Sequence, residues 1–292
     1  MNTHPLLSGI IEAPTTSELA SIATIMREAA GVIIGPTKGA MVQSRLAKRL
    51  RALKLGNYRA YIALLNSIEG ETEKRQMVSA LTTNVTHFFR ENHHFDQLRH
   101  STLPPLIARA KAGGRVRLWS AGCSNGPEAY SIAMVMADLL PEIARYDVRI
   151  LATDIDQAVV ARARAATYDI ATANGIPPCF RNRFTEPCET GVRIASDLRN
   201  LITFQELNLH APWPIRGQFD VIFCRNVVIY FDHQAQNSLW RRFESLLAPG
   251  GWLFVGHSER VSIQQGSRLV TAGITSYRLA ERDPLPEENV WR

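Results

Sequence analysis

The feature that most constrains this chain is an alternation of strand and helix patterns running from Arg115 to Gly256. Arg115–Ser120, Val148–Thr153, Leu201–Leu207, Phe219–Cys224 and Gly251–Gly256 read as strands. Gly126–Leu140, Asp156–Ala166 and His233–Leu247 read as helices between them, and Arg268–Ala272 with Ser276–Leu279 as a closing hairpin. Such alternation builds βαβ units. The fold class expected is therefore α/β, a doubly wound, mostly parallel sheet with helices on both faces. Ligands of such sheets bind beyond the carboxyl ends of the strands. The residues that follow each strand are thus the first candidates for chemistry.

The rest of the chain is organised around this core. Residues 1–17 read as a flexible tail, 18–81 as a small all-α domain, 82–100 as a linker and 101–292 as the α/β domain. At about 168–200 the alternation breaks at Pro177, Pro178 and Pro187, which reads as an inserted small antiparallel β-subdomain. In the helical domain Val42, Leu46, Leu50 and Leu53 recur at spacings of four and three, within an arc of about 80° at 100° per residue. Arg45, Lys48, Arg49, Arg51 and Lys54 take the remaining face.

Charge sharpens that helix. The net charge is +6, from 33 Lys and Arg against 27 Asp and Glu, and residues 1–80 hold +4 of it. No acidic residue lies between Glu28 and Glu69, although seven basic ones do. A helix kept only for solubility usually mixes signs, so the face reads as a docking surface. Nucleic acid, a membrane surface and an acidic protein all fit. No run approaches 18 apolar residues, so no membrane insertion is expected. The start of the chain lacks the pattern of a signal peptide. Cys123, Cys179, Cys188 and Cys224 form no CxxC pair, which favours free thiols and a cytoplasmic location; Cys179 and Cys188 are near enough in sequence to approach each other.

Four sites carry chemistry. LWSAGCSNGPE (118–128) is a strand, a glycine-rich turn and a helix start. Gly122 and Gly126 let backbone approach a ligand, but Glu128 in the first helical turn would repel a pyrophosphate and suits cationic or hydroxyl groups. ILATDID ends the next strand on Asp154, placed to accept ribose hydroxyls, with Asp156 as a helix N-cap. FDVIFCRNVVIYF (219–231) puts Arg225 and Asn226 at a third strand end, with Tyr230 five residues beyond Arg225. Asn208-Leu209 holds the matching position after Leu201–Leu207. The pair His93-His94 has no third ligand at zinc-like spacing, so no metal is expected.

The turn and strand in LLAPGGWLFVGHSE (246–259) resemble the late part of class I S-adenosylmethionine-dependent methyltransferases. Together with TTNVTHFFR (82–90), SAGCSNGPEAYS, ATDID and FCRNVVIYF, in this order, they resemble the CheR family of chemotaxis-receptor glutamate O-methyltransferases, from about Glu18 to Leu279. The resemblance implies the class I methyltransferase fold. It implies S-adenosylmethionine as cofactor, S-adenosylhomocysteine as product, and glutamates on the cytoplasmic helical bundle of chemoreceptors as substrate. By the same resemblance Asn84, Thr86 and Arg90 contact the cofactor from the linker. Glu128 takes its amino end and Asp154 its ribose, and Gly122, Asn208, Leu209, Arg225 and Asn226 complete its site. Arg90 and Tyr230 lie nearest the transferred methyl, and Arg45, Lys48, Arg49 and Arg51 meet the acidic receptor. A monomer is expected.

Two departures stand out. GPEAYS (126–131) replaces the family's GEEPYS, though Glu128 is kept. RFTEPCETG (183–191) has Phe184 and Glu186 where some members carry glycines that grip a receptor tail peptide, which argues against that grip here. Two rival readings follow from the residues: a methyltransferase acting on nucleic acid, suggested by the basic helix, and an adaptor that binds the cofactor without turnover. No aromatic-rich single-strand platform supports the first.

Overall fold

The computed structural model describes residues 11–281. The first ten residues of the expected tail, and the chain beyond residue 281, lie outside that range. The described residues form two compact units. One runs to Thr83 and includes Tyr230–Asp232; the other holds Asn84–Ile229 and the chain from His233.

The first unit is helical: α1 (Thr16–Ala30), α2 (Gly39–Ala52), α3 (Tyr58–Leu65) and α4 (Glu71–Leu81). Helix α1 starts two residues before the expected boundary. A capping box explains this: Thr15 accepts from the Glu18 amide while the Glu18 carboxylate accepts from the Thr15 amide. Val42, Leu46 and Leu50 are fully buried, together with Ile22, Met26, Tyr61, Leu65 and Met77, so the apolar spacing of α2 does mark its core face. Its polar face is divided. Lys48, Arg51 and Lys54 are exposed. Arg49 instead pairs with the buried Glu73 of α4, its Nε donating to Oε1 at 3.0 Å. Arg45 donates to the carbonyls of Leu81 and Thr82, at 2.8 Å each, and to the Thr83 hydroxyl. The segment Tyr230–Asp232 joins this unit through the Ile33 amide, which donates to the Tyr230 carbonyl at 2.8 Å, and through an Arg27–Asp232 ion pair.

The second unit continues with α5 (His93–Gln97), α6 (Leu103–Lys111), β1 (Val116–Ala121), α7 (Pro127–Leu139), β2 (Val148–Asp154) and α8 (Gln157–Ala165). Then come β3 (Thr167–Tyr168), α9 (Ile170–Ala173), α10 (Pro178–Phe184), β4 (Thr185–Cys188), β5 (Gly191–Ile194) and α11 (Ser196–Arg199). It ends with β6 (Ile202–Glu206), β7 (Phe219–Cys224), α12 (His233–Leu246), β8 (Leu247–Val255), β9 (Leu269–Gly273) and β10 (Ser276–Leu279). The main sheet has the order β6-β2-β1-β7-β8-β10-β9, parallel from β6 to β8, with β10 antiparallel to both neighbours. The chain winds outward from β1 through β2 to β6, then returns to β7 on the other side of β1. The strand order therefore reverses between β1 and β7, where doubly wound sheets open a crevice. Strand β7 is buried at every position, as expected of a parallel strand covered on both faces.

Three differences from the sequence reading have physical reasons. The inserted element is a three-stranded sheet, β3-β5-β4, but it also carries α9, α10 and α11. Phe180 and Phe184, one turn apart, are buried at 9% and 7% exposure, and that burial holds α10 as a helix. Phe184 is thus a core residue, not part of a binding loop. Strand β8 begins at Leu247 rather than Gly251, because Ala248–Gly251 bulge out while Phe219 and Val221 pair with Leu247 and Trp252. Finally, helix starts again at His93, inside the span read as linker, because Phe95 and Leu98 lie on one buried face. No described helix is long and apolar enough to cross a membrane.

Candidate functional site

The turn after β1 is tied to β2. The Gly122 and Cys123 amides both donate to the Thr153 carbonyl, at 2.7 and 2.9 Å. Gly122 sits at φ +83°, and a Cβ there would lie 2.3 Å from Val227 Cγ2. Only glycine lets the loops after β1 and β7 approach so closely. The Ser124 amide donates to Asp154 Oδ2 at 2.8 Å, and the Asp156 amide to Oδ1 at 3.0 Å. Each Asp154 oxygen keeps a second lone pair for a ligand. Burial pushes the Asp154 carboxyl up, against the pull of those amides. Asp156 caps α8 by accepting from Ala158 at 2.9 Å. It also receives the Asn84 side chain at 2.8 Å, and the Ser124 hydroxyl donates to the Asn84 carbonyl at 2.9 Å. The linker is thereby fastened to the ends of β1 and β2.

The centre of the site is Arg225, 5% exposed at the end of β7. Its guanidinium lies 3.1 Å from Glu91 Oε2 and donates to Glu128 Oε2 at 3.3 Å and to the Arg90 carbonyl. Its charge also rests against the rings of Phe95 and Phe223, at 5.7 and 5.9 Å. Its Nε is buried without a partner. Glu128, in the first turn of α7, accepts from the Ser120 hydroxyl at 2.7 Å. Burial raises the Glu128 carboxyl, and Arg225 offsets part of that rise. Glu91 goes the other way. Burial acts to raise it, but Arg225 and the bonds from His257 hold it down at about 2. One cation thus serves two half-buried carboxylates of different acidity.

A further carboxylate shapes the loop. Glu259 of the GHSE motif accepts the amides of Asn226, Val227 and Val228 at 2.8, 2.9 and 2.8 Å, and that of Gly256. These four amides lie at the ends of adjacent strands β7 and β8. Phe89, Glu91, Ser124 and Asn226 all adopt φ between +50° and +58°, a conformation costing about 1–2 kcal/mol for each residue with a side chain. Such strain collects where surrounding bonds over-determine a loop, as Glu259 does for Asn226.

The sequence-predicted residues fall into three groups. Asn84 and Asp154 share one set of hydrogen bonds at the ends of β1 and β2, where Gly122 is tied to Thr153; Glu128, Arg225, Asn226 and the Arg90 carbonyl join a second set around the end of β7. The half-buried Thr86 lies in the same segment, and the Arg90 side chain donates to the Val85 carbonyl at 3.2 Å. Asn208 and Leu209 follow β6, whose end is tied to Asp154 by the Leu207 amide at 2.9 Å. Leu209 is buried, and Arg242 of α12 holds its carbonyl at 2.7 Å. Tyr230 and the four basic residues of α2 belong to the helical unit, where Arg45 and Arg49 have internal partners. Sequence reasoning missed Glu91, Glu259 and His257. The GHSE string was the available signal for the last two; Glu91, one residue past the quoted linker motif, had none. Glu91 also supplies the neighbour that the His93-His94 spacing lacks, the three ligand-type atoms lying within 4.8 Å of one another. A guanidinium 3.1 Å from Glu91 opposes a cation there. His94 is fully buried, its Nε2 2.8 Å from the Thr275 hydroxyl, and burial followed by Arg225 pushes its pKa down to about 3.

Comparison with known proteins agrees with this geometry. A family model described as CheR methyltransferase, SAM binding domain, matches residues 84–277, and one described as CheR methyltransferase, all-alpha domain, matches residues 17–82. The chain is 49% identical over 253 residues to a "Probable chemotaxis protein methyltransferase" of Rhizobium etli, covering 85% of this chain and 94% of that protein. It is 39% identical over 268 residues to the "Chemotaxis protein methyltransferase" of Escherichia coli, covering 89% and 90%. To the "Chemotaxis protein methyltransferase 2" of Pseudomonas aeruginosa it is 40% identical over 256 residues, covering 85% and 87%.

Proposed function

The chain belongs to the CheR methyltransferase family, and from that premise we propose that it methylates glutamate side chains of chemotaxis receptors, giving glutamate methyl esters. Its cofactor is S-adenosylmethionine. The groups at the strand ends fit that molecule. Asp154 and Glu128 are acceptors for hydroxyl and ammonium groups, no lysine or arginine sits on the glycine-rich turn as a pyrophosphate would want, and Asn125 Oδ1 is buried there without a protein partner. When bound, it supplies a methyl group on a sulfonium and leaves as S-adenosylhomocysteine.

The observation that carries the reading is the Glu91–Arg225–Glu128 cluster at the strand-order reversal. Arg225 holds Glu128 in place while sharing its charge with Glu91, so Glu128 keeps acceptor capacity toward a cationic amino group. Gly122 and Asp154 bound the site on the β1 and β2 side; Asn208 and Leu209 bound it after β6, and Asn226 after β7. Asn84, Thr86 and Arg90 close it from the linker.

A substrate glutamate titrates near 4.3 and is already ionised at neutral pH. The chain therefore needs no general base, and its task is placement. In this reading Arg90 holds the carboxylate oxygen that does not react, and orients it without neutralising it, since too strong a grip would blunt the nucleophile. The exposed cations Lys48 and Arg51 steer the acidic receptor helices.

The test is transfer of labelled methyl groups to receptor-containing membranes and, in parallel, to RNA. Label that appears on receptor and is released as methanol by mild base supports the reading. Label on RNA alone, or cofactor binding with no transfer to either, overturns it.

A further inference from the structure

The glycine-rich turn is held from outside the main sheet. Tyr168, on β3 of the small sheet, is 5% exposed, and its hydroxyl donates to the Asn125 carbonyl at 2.7 Å. Its ring meets Phe88 edge-on at 5.0 Å and Tyr130 of α7 at 6.2 Å. Phe88 belongs to the same segment as Asn84, Thr86 and Arg90. A Cβ on Gly126 would come within 2.8 Å of the Tyr168 oxygen. The turn and the phenol are thus packed as closely as a glycine allows.

The bonded carbonyl is the one that needs fixing. Asn125 precedes the N-cap of α7, so no helical amide reaches its carbonyl. Gly126 follows at φ +102°, and a glycine flank lets the intervening peptide plane rotate at little steric cost. Rotation would turn the carbonyl away from Tyr168 and re-aim the Gly126 amide, which donates to the Cys123 carbonyl at 3.0 Å and closes the turn. Burial raises the Tyr168 phenol well above its ordinary pKa, so it stays a donor throughout the physiological range. From the other side the Ser124 hydroxyl is held by the Asn84 carbonyl. The turn is fastened at two consecutive residues by two different segments.

We propose that Tyr168 is a positioning residue for S-adenosylmethionine: its hydroxyl locks the Asn125–Gly126 peptide of the cofactor site. It acts through the backbone of the turn, without touching the reacting atoms. The proposal rests on the reading of that turn as the cofactor cradle.

The test uses the full chain and Tyr168→Phe, which keeps the ring contacts and removes only the hydroxyl. S-adenosylhomocysteine affinity is measured by calorimetry, KM and kcat by methyl transfer at varied S-adenosylmethionine, and Tm without ligand. The expected result is a Kd and KM raised about tenfold, which is about 1.4 kcal/mol, with kcat within about twofold. Val192→Ala, opposite Tyr168 in the small sheet, loosens the subdomain without touching the hydroxyl. It should lower Tm and leave Kd unchanged. An unchanged Kd in Tyr168→Phe, a fall in kcat with KM constant, or an equal loss of affinity in Val192→Ala overturns the proposal. Gly122→Ala separates the two levels. If it does not weaken binding, the cradle reading itself fails; if it does while Tyr168→Phe binds normally, only the role of Tyr168 is lost.

Discussion

Each unit of the molecule contains an arginine paired with carboxylates, half-buried Arg49 in one and buried Arg225 in the other, and the two are used differently. In the helical unit Arg49 meets one carboxylate, Glu73, through two of its nitrogens, and the buried Tyr61 hydroxyl completes that carboxylate at 2.8 Å. Glu73 Oε1 serves two donors, none of Arg49, Tyr61 and Glu73 has left-handed backbone, and the charges balance. In the α/β unit Arg225 faces two carboxylates and a carbonyl, its Nε has no partner, and the flanking backbone at Glu91 and Asn226 is left-handed. A satisfied ion pair in relaxed backbone joins helices. An over-subscribed cation in strained backbone has capacity left for a ligand.

That contrast makes its strongest prediction at the two arginines. Arg225→Met leaves the half-buried Glu91 and Glu128 without their shared cation, and kcat/KM for methyl transfer should fall by about 10²–10³-fold. Arg49→Met should cost about 3–5 kcal/mol of stability yet leave kcat/KM of the folded protein within about twofold. Loss of cofactor binding in Arg49→Met, with Arg225→Met still binding, would reverse the comparison. Replacing both partners sharpens it. Arg49→Met with Glu73→Leu should recover most of the lost stability in urea unfolding, because an apolar pair of similar volume often substitutes for a buried ion pair. Arg225→Met with Glu91→Leu should recover no turnover.

Acidity gives a third handle. The Glu91 carboxyl, pulled up by burial but held at about 2 by Arg225 and His257, lies below its ordinary 4.5. It contributes stability above about pH 4.5 that drains away as pH falls toward 2. His94, held at about 3 by burial and then by Arg225, against an ordinary 6.5, stays neutral when folded and gains a proton when unfolded. Its cost to the fold therefore grows as pH falls from 6.5 toward 3. In His94→Gln the unfolding free energy between pH 6.5 and 4.5 should fall less steeply than in the parent, by up to about 1.4 kcal/mol per pH unit. An unchanged slope would deny the neutral burial of His94.

The smallest effect concerns docking. Because Arg49 is tied to Glu73, reversing its charge would test stability rather than receptor binding. Lys48→Glu and Arg51→Glu should instead raise the receptor KM about three- to tenfold at low salt, with S-adenosylmethionine affinity unchanged and the difference shrinking as salt is added. Identical receptor kinetics would remove α2 from the docking account.

What the sequence disclosed and what it withheld follow one rule. Local periodicity placed the helices and the buried strands, and β7 was read to the residue. Strand ends then pointed to Gly122, Asp154, Arg225 and Asn226. Glu91 was invisible because its partner Arg225 lies 134 positions on, and nothing in spacing links the two. Glu259 was quoted within a motif, but its work, gathering four amides from two strand ends, exists only once β7 and β8 are paired. Arg49 looked free because its partner stands on α4, not one turn away on α2.

The most direct test of the central claim is mass spectrometry of receptor peptides after incubation with this chain and S-adenosylmethionine. The account predicts the mass of one added methylene on glutamate residues of the receptor's cytoplasmic helices, lost on mild alkaline treatment and absent when Arg225→Met is used. A base-stable methyl group on lysine or arginine, or no modification under conditions where S-adenosylhomocysteine binds, would contradict it.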